Sequence, residues 1–148
     1  MKNTSRCEIP IPPTANKIWR VYQGRQILSA DYRSWKEHAA LALKLGMKAV
    51  KGKVELTIII QGGAGFMRSR DLDNCAKPVI DAIRHAGMIE GDTVQTVIGV
   101  HLLYEECPVK KQPQAKCFVY ITPFENGVHN GNGIEAEERN LGTAPTDR

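Results

Sequence analysis

The pattern of apolar and polar residues predicts helices and strands that alternate along the first 122 residues. Apolar residues occupy every second position over residues 54–60, which is typical of a half-buried strand. They recur every three or four positions over residues 29–47, which indicates a helix with one buried face and Ser29 as its N-cap. A second helix is predicted over residues 74–86, and further strands over residues 7–11, 19–22, 25–28, 94–104 and 115–122.

Three local signals refine this prediction. Gln23 and Gly24 separate two short strand-like runs, so these runs are predicted to form a hairpin. Pro12 and Pro13 cannot continue a central strand and are expected to end the first one. Pro78 lacks an N–H near the start of the second helix, so either its first turn is irregular or the regular helix begins at that proline.

Interleaved helices and strands of this kind favour an α+β fold. We expect a single two-layer domain over residues 1–122, in which helices cover a mixed β-sheet, since 148 residues suit one core. Residues 123–148 are rich in Gly, Asn, Glu and Thr and contain few large apolar side chains, so they are predicted to be a disordered tail.

The balance of basic and acidic residues also changes at about residue 122. Residues 1–122 carry 18 bases and 11 acids, whereas residues 123–148 carry five acids and two bases. A basic body favours a polyanionic partner, although the same charge also serves solubility. We find neither an apolar run of about 20 residues nor an apolar signal segment, and the four cysteines lack zinc or Cys-x-x-Cys spacing. We therefore expect a cytoplasmic protein with reduced thiols and no membrane partner.

The segment RDLDNCAK at residues 70–77 is the most informative for chemistry. If it is extended, Asp71 and Asp73 project to the same side, and Lys77 follows on the same helical face as Asp73. Taken singly, Asp73 is most simply an N-cap, Asp71 a solvated acid and Lys77 half of an ion pair with Asp73 or Asp81. Two neighbouring acids, however, repel each other unless a cation neutralises them.

Magnesium is the natural cation for such a pair. It takes oxygen ligands, commonly binds a few carboxylates and keeps waters for a phosphate and a nucleophile. Phosphodiester cleavage needs this help, because negative charge grows on the phosphoryl oxygens in the transition state. Asp92, in the loop after the second helix, is available as a third acid if the flanking strands are neighbours. The position of Asp92 is equally well explained if it is simply a turn residue after Gly91.

Four motifs follow one another in order along the body. They are Pro-Pro-x-x-Asn at residues 12–16, a Gly/Ser-containing hairpin at residues 24–29, Asp-Leu-Asp-Asn-x-x-Lys at residues 71–77, and Asp-Ala-Ile with a following Gly-x-Ile-x-x-Asp at residues 81–92. Together they resemble the RusA family of Holliday-junction resolvases over residues 8–122. The tail and the Gly-rich segment before Arg68 depart from the family pattern.

The resemblance implies a homodimeric nuclease that cuts branched DNA, notably four-way junctions, with Mg²⁺ as its cofactor. It implies that Asp71, Asp73 and Asp92 bind the metal and that Lys77 assists them in catalysis. A two-fold dimer also suits the substrate, because a symmetric junction needs two nicks.

Basic residues near these acids are candidates for contacts with DNA phosphates. We predict that the DNA-binding residues are Lys17, Arg20, Arg25, Arg68, Arg70 and Asn74. Trp19 and Tyr22 are interleaved with three of them, but packing under the hairpin explains these aromatics more simply than stacking on bases does. A further hypothesis is that Phe66 inserts into the open centre of a junction.

Two other functions are compatible with the same residues. The same acids suit a metal-dependent nuclease that cuts flaps or other branched DNA. A non-catalytic, structure-specific DNA-binding protein, in which the acids are caps and turn residues, would show no dependence on magnesium. An Asp-x-Asp transferase is a more distant alternative, because the chain is short and has no nucleotide-binding Gly motif.

Overall fold

The computed structural model describes residues 4–64, 66, 70–106 and 114–124. Six strands and two helices are assigned in this part of the chain. They are β1 (Ser5–Ile9), β2 (Trp19–Tyr22), β3 (Arg25–Leu28), α1 (Ala30–Gly46), β4 (Val54–Gln61), α2 (Ala76–His85), β5 (Val97–Glu105) and β6 (Lys116–Pro123). Short 3₁₀ turns occupy Ala15–Lys17 and Asp73–Cys75.

Four of the strands form one mixed sheet in the order β1-β6-β4-β5. β6 pairs antiparallel with both β1 and β4, whereas β4 and β5 are parallel and are joined through α2. Alternate residues of β4 are fully buried, and they pack with the apolar faces of α1 and α2 in one core. The predicted α+β fold, with a mixed sheet covered by helices, is therefore confirmed.

The start of α1 follows the prediction. Ser29 is the N-cap, and its Oγ accepts a hydrogen bond from the Tyr32 amide at 3.2 Å. The same hydroxyl donates to the Lys17 carbonyl at 2.8 Å, so the cap also connects α1 to the preceding 3₁₀ turn. The hairpin of β2 and β3 is confirmed as well, with Gln23 and Gly24 both at positive φ in its turn.

Two predicted strand boundaries are wrong for local reasons. The strand predicted over residues 7–11 ends at Ile9, because Pro10 has no N–H to continue the ladder with β6. The strand predicted from residue 94 begins at Val97, since residues 93–96 form a turn in which the Thr96 amide donates to the Thr93 carbonyl.

Pro78 has the predicted effect on the second helix. The chain is 3₁₀-helical from Asp73 to Cys75, and α2 then begins at Ala76. Pro78 therefore lies in the first turn of α2, where a missing N–H costs little because those groups have no intrahelical partner.

Cys7, Cys75 and Cys117 are free, buried thiols, and Cys107 lies outside the described residues. No helix within the described residues is long and apolar enough to cross a membrane. β6 extends to Pro123, and the Phe124 amide donates to the Lys53 carbonyl at 2.8 Å. The remainder of the predicted tail lies outside the described residues.

Candidate active site

The two acids of the RDLDNCAK segment each accept a hydrogen bond from Asn74. Asn74 donates from its backbone N–H to Asp73 Oδ1 at 2.9 Å and from Nδ2 to Asp71 Oδ2 at 3.3 Å. Both aspartates are exposed to solvent. Asn74 therefore orients a pair of accessible carboxylates, which is a more specific role than the DNA contact that the sequence predicted for it.

The expected geometry of this segment is wrong in two details. Leu72 adopts a helical conformation (φ −66°, ψ −39°), so the segment is not extended between the two acids. Asp73 is also not the N-cap of α2, because the 3₁₀ turn displaces the start of that helix to Ala76. The N-cap is Cys75, which makes no side-chain capping bond to any described residue. The Asp73 carboxylate thus remains outside the helix terminus.

Arg70 connects this segment to the N-terminal Pro-Pro motif. Its guanidinium donates to the Pro12 carbonyl at 2.5 Å and lies 5.3 Å from the centre of the Phe66 ring. Phe66 in turn stacks on Tyr104, with ring centres 5.6 Å apart. The structure therefore assigns both Arg70 and Phe66 a packing role. The predicted phosphate contact of Arg70 and the predicted junction contact of Phe66 remain untested.

A cleft of about 700 Å³ opens beside Asp71 and is lined by residues of both sequence motifs. Asn16 and Lys17, at the end of the Pro-Pro-x-x-Asn stretch, line it together with Asp71 and Asn74. We call this feature the acid cleft. Its lining thus combines the exposed Lys17 with Asp71, while Asp73 lies outside the lining. A lysine in such a cleft is a candidate contact for a phosphate.

Lys77 was predicted to pair with Asp73 or with Asp81, and the structure shows the pair with Asp81. The Lys77 Nζ lies 3.5 Å from Asp81 Oδ2, one helical turn further along α2. Asp81 Oδ2 also accepts a hydrogen bond of 3.1 Å from the Tyr32 hydroxyl on α1. Burial, and then the negative charge of Asp81, raise the pKa of Tyr32 well above its ordinary value, so the phenol stays a donor. The i, i+4 spacing signals the ion pair, but the contact with Tyr32 has no signal in the sequence.

Asp92 lies away from the other acids within one chain. It is exposed in the loop between α2 and β5, where its Oδ2 is 3.5 Å from Arg84 Nη1. Because β4 and β5 are parallel, the segment after β4 and the loop before β5 lie at opposite edges of the sheet. α2 spans the distance between them, which is roughly 15 Å for ten residues.

The described residues accordingly contain no cluster of three His, Cys, Asp or Glu side chains that could hold one metal ion. Within this part of the chain, Asp71 and Asp73 are brought together and Asp92 is not. The assignment of Asp92 as a third ligand stays a prediction.

Three predicted DNA-binding residues lie elsewhere. Arg20 and Arg25 are exposed on the hairpin, and the Arg20 guanidinium lies 6.0 Å from the Tyr22 ring centre. Arg68 lies outside the described residues.

Cys75 lies in the chain between the acids and Lys77 and is fully buried. Burial raises the pKa of its thiol, which favours packing over a chemical role.

Comparison with known proteins identifies relatives of the chain. The model of the family described as "Endodeoxyribonuclease RusA" matches residues 9–111. A protein named crossover junction endodeoxyribonuclease RusA, from Escherichia coli strain K12, is 32% identical over 85 residues, which are 57% of this chain and 71% of the relative. Its counterpart in Enterobacteria phage 82 shows the same identity and coverage, and the one in Shigella sonnei strain Ss046 is 31% identical over the same length.

Proposed function

Since this chain belongs to the RusA family of endodeoxyribonucleases, we propose that it resolves Holliday junctions by magnesium-dependent hydrolysis of DNA phosphodiester bonds, in recombination and repair. The supporting observation is the pair of exposed carboxylates of Asp71 and Asp73, each of which accepts a hydrogen bond from Asn74, with Asp71 in the lining of the acid cleft. The names of the relatives support the four-way junction as substrate. We place the protein in the cytoplasm with its DNA substrate. The folded domain predicted over residues 1–122 is extended to Pro123, the last residue of β6.

The donor set fits magnesium. Asp71 and Asp73 supply exposed carboxylate oxygens, and this ion is commonly bound through one or two carboxylates while it keeps several waters. When bound, magnesium supplies positive charge to the phosphoryl oxygens and acidifies a water molecule. The side-chain amide of Asn74 fixes the orientation of the Asp71 carboxylate in advance of binding.

Basic side chains position the DNA in this proposal. Lys77, whose ammonium group Asp81 holds at one side of α2, donates hydrogen bonds to oxygens of the scissile phosphate. Lys17 in the acid cleft binds a neighbouring phosphate. Contacts further along the backbone come from Arg20 and Arg25 on the hairpin, together with Arg68 and Arg70 beside the acids.

A homodimer completes the proposed site. Asp92 lies at the opposite end of α2 from Asp71 and Asp73, so we infer that the Asp92 that completes a metal site at those acids belongs to a second protomer. A two-fold axis would create two such composite sites, one for each strand to be cut. Each site would then take Asp71 and Asp73 from one protomer and Asp92 from the other.

Cleavage of a synthetic four-way junction tests the catalytic proposal. We expect cleavage with magnesium, no cleavage in its absence, and loss of cleavage with retained junction binding in Asp73→Asn. Glu55→Gln is the matched control, because Glu55 lies on β4 and outside the acid cleft. Metal-independent cleavage, or full activity of Asp73→Asn, would refute the proposal. Flaps and linear duplex at the same salt concentration test for a broader branched-DNA nuclease.

Mixed dimers test whether the site is composite. Homodimers of Asp73→Asn and of Asp92→Asn are both expected to be inactive. A heterodimer of the two variants has one site with both substitutions and one site with neither, so it should nick one strand of a junction. If all ligands came from one chain, both sites of the heterodimer would be damaged and no nick would appear. Sedimentation at several concentrations gives the oligomeric state.

A further inference from the structure

A second cleft lies between the β2–β3 hairpin and the two helices, and Lys77 is part of its lining. Its volume is about 410 Å³, within the range of roughly 300–1,000 Å³ that small-ligand sites occupy. We call it the hairpin cleft. Trp19 and Leu28 line it from the hairpin, and Lys36, Lys77, Arg84 and His85 line it from α1 and α2.

The hairpin side of the cleft is an accessible aromatic wall. Trp19 and Leu28 are a directly paired cross-strand couple and therefore share one face of the hairpin. Trp19 is 52% exposed, whereas the neighbouring Ile18 is 2% exposed and fills the bottom of the cleft. Ile18, and not Trp19 as predicted, therefore packs under the hairpin. Much of the Trp19 indole is accessible to solvent.

The helix side of the cleft is basic. Lys36, Lys77 and Arg84 contribute three positive charges, and Asp81 is the one acid in the lining. Arg84 also pairs with Asp92 outside the cleft, at the solvent-exposed end of α2. Asp81 is already engaged by the Tyr32 hydroxyl and by Lys77. An apolar aromatic wall opposite a set of cations matches the two parts of a nucleotide, because a base stacks on an indole and a phosphate pairs with lysine and arginine.

We propose that the hairpin cleft binds one unpaired nucleotide of the branched DNA, with its base stacked on Trp19 and its phosphate held by Lys36 and Arg84. This inference rests on the proposed function for its substrate, DNA. Lys77 lines the cleft and is also the residue proposed to contact the scissile phosphate, so a nucleotide held here would lie next to the proposed site of cleavage.

Such a site would favour branched DNA over linear duplex. A base enters the cleft after it leaves the helical stack, and this step costs least where the base is already unpaired, as at the centre of an open junction. In linear duplex every base must first be unstacked. The hairpin would then help the protein to distinguish branched DNA from linear duplex. The spacing of the two active sites in a dimer would be a second source of this preference.

Tryptophan fluorescence offers a direct test, because the chain has two tryptophans and Trp35 is buried at 8% exposure. We would measure quenching by acrylamide in metal-free buffer with a chelator, so that cleavage plays no part. Binding of a four-way junction should lower the quenching constant of Trp19 severalfold, and linear duplex at equal occupancy should leave it unchanged. Trp19→Phe, which retains the buried Trp35, gives the background.

Binding affinity gives a second measurement. Trp19→Ala should raise the Kd for the junction by roughly ten-fold, as expected for loss of one base–aromatic stack, and should leave the Kd for linear duplex within about two-fold. Val21→Ala is the control, because Val21 lies on the same strand and is 74% exposed but does not line the cleft. Circular dichroism of each variant confirms that it is folded.

Three results would overturn the proposal. They are an equal loss of affinity in Val21→Ala, equal protection of Trp19 by linear duplex, and protection of Trp19 in the free protein at concentrations where it self-associates. The last result would show that a second copy of the chain covers the cleft. Because binding is measured without metal, loss of the proposed catalytic activity would leave this test interpretable.

Discussion

The hydroxyl of Tyr32 donates a 3.1 Å hydrogen bond to Oδ2 of Asp81, and this contact ties α1 to α2 at the point where Asp81 holds Lys77. Tyr32 is 2% exposed, so the anchor for the carboxylate is part of the core. Tyr32 thus fixes Asp81 from the core, and Asp81 in turn holds the exposed ammonium group of Lys77.

Removal of the charge on Asp81 should impair catalysis more than binding. In Asp81→Asn the amide oxygen still accepts from Tyr32, while the attraction for Lys77 is lost. We expect turnover on a four-way junction to fall by about ten- to a hundred-fold, the order found when a reacting group is misplaced by about 1 Å. The Kd for the junction should change by less than about two-fold. Unchanged turnover would mean that Asp81 does not position Lys77.

Loss of the Ser29 cap should destabilise the protein. Ser29→Ala removes the side-chain acceptor for the Tyr32 amide and the donor to the Lys17 carbonyl. We expect the free energy of unfolding in urea to fall by about 1 kcal/mol or somewhat more, since a typical N-cap is worth that much. Ser34→Ala, on the exposed side of the same helix, is the control and should be close to neutral.

The buried thiol of Cys117 should make stability fall at alkaline pH. Burial raises the pKa of Cys117 from 9.0 to about 12, so the unfolded chain loses this proton at a lower pH than the folded chain does. The stabilisation is therefore intact below pH 9 and is lost as pH rises towards 12, by at most about 1.4 kcal/mol per pH unit.

Denaturation of the wild type and of Cys117→Ala at pH 8, 9 and 10 measures this contribution. Other groups titrate equally in both proteins, so the difference between the two slopes isolates the thiol. We expect a steeper alkaline decline in the wild type. Parallel curves would mean that the Cys117 thiol titrates alike in the folded and unfolded chains.

Arg70 should contribute to stability through its shape as well as its charge. Arg70→Lys keeps the positive charge but loses the planar group that lies over Phe66 and donates to the Pro12 carbonyl. We expect the free energy of unfolding to fall by about 1–2 kcal/mol. Arg33→Lys, at an exposed position of α1, should be neutral. Equal stability of Arg70→Lys and the wild type would show that the contact with Pro12 contributes little.

Most of the secondary structure could be predicted, because its causes are local. The hairpin and the N-cap at Ser29 were predictable from turn and capping residues, and the buried face of β4 from its two-residue period. The errors arose where local signals competed. The spacing of the two acids suggests an extended backbone at Leu72. The backbone there is helical instead, because a 3₁₀ turn begins at Asp73, ahead of Pro78.

The candidate site was predictable in part, for the same reason. Asp71, Asp73 and Asn74 lie within four residues of one another, so short-range geometry brings them together whatever the rest of the fold does. The contact between Arg70 and Pro12 spans 58 positions, and the anchoring of Asp81 by Tyr32 spans 49. No periodicity encodes such pairs, because each depends on how α1, α2 and the sheet pack.

The sequence by itself therefore determined the elements, the α+β class and the adjacent pair of carboxylates, since each follows from spacing along the chain. The tertiary structure decided what surrounds them. It brought the Pro-Pro-x-x-Asn motif to the acid cleft and left Trp19 open beside a basic wall. It also placed Asp92 at the far end of α2, because the parallel pairing of β4 and β5 puts the loops at either end of α2 at opposite edges of the sheet.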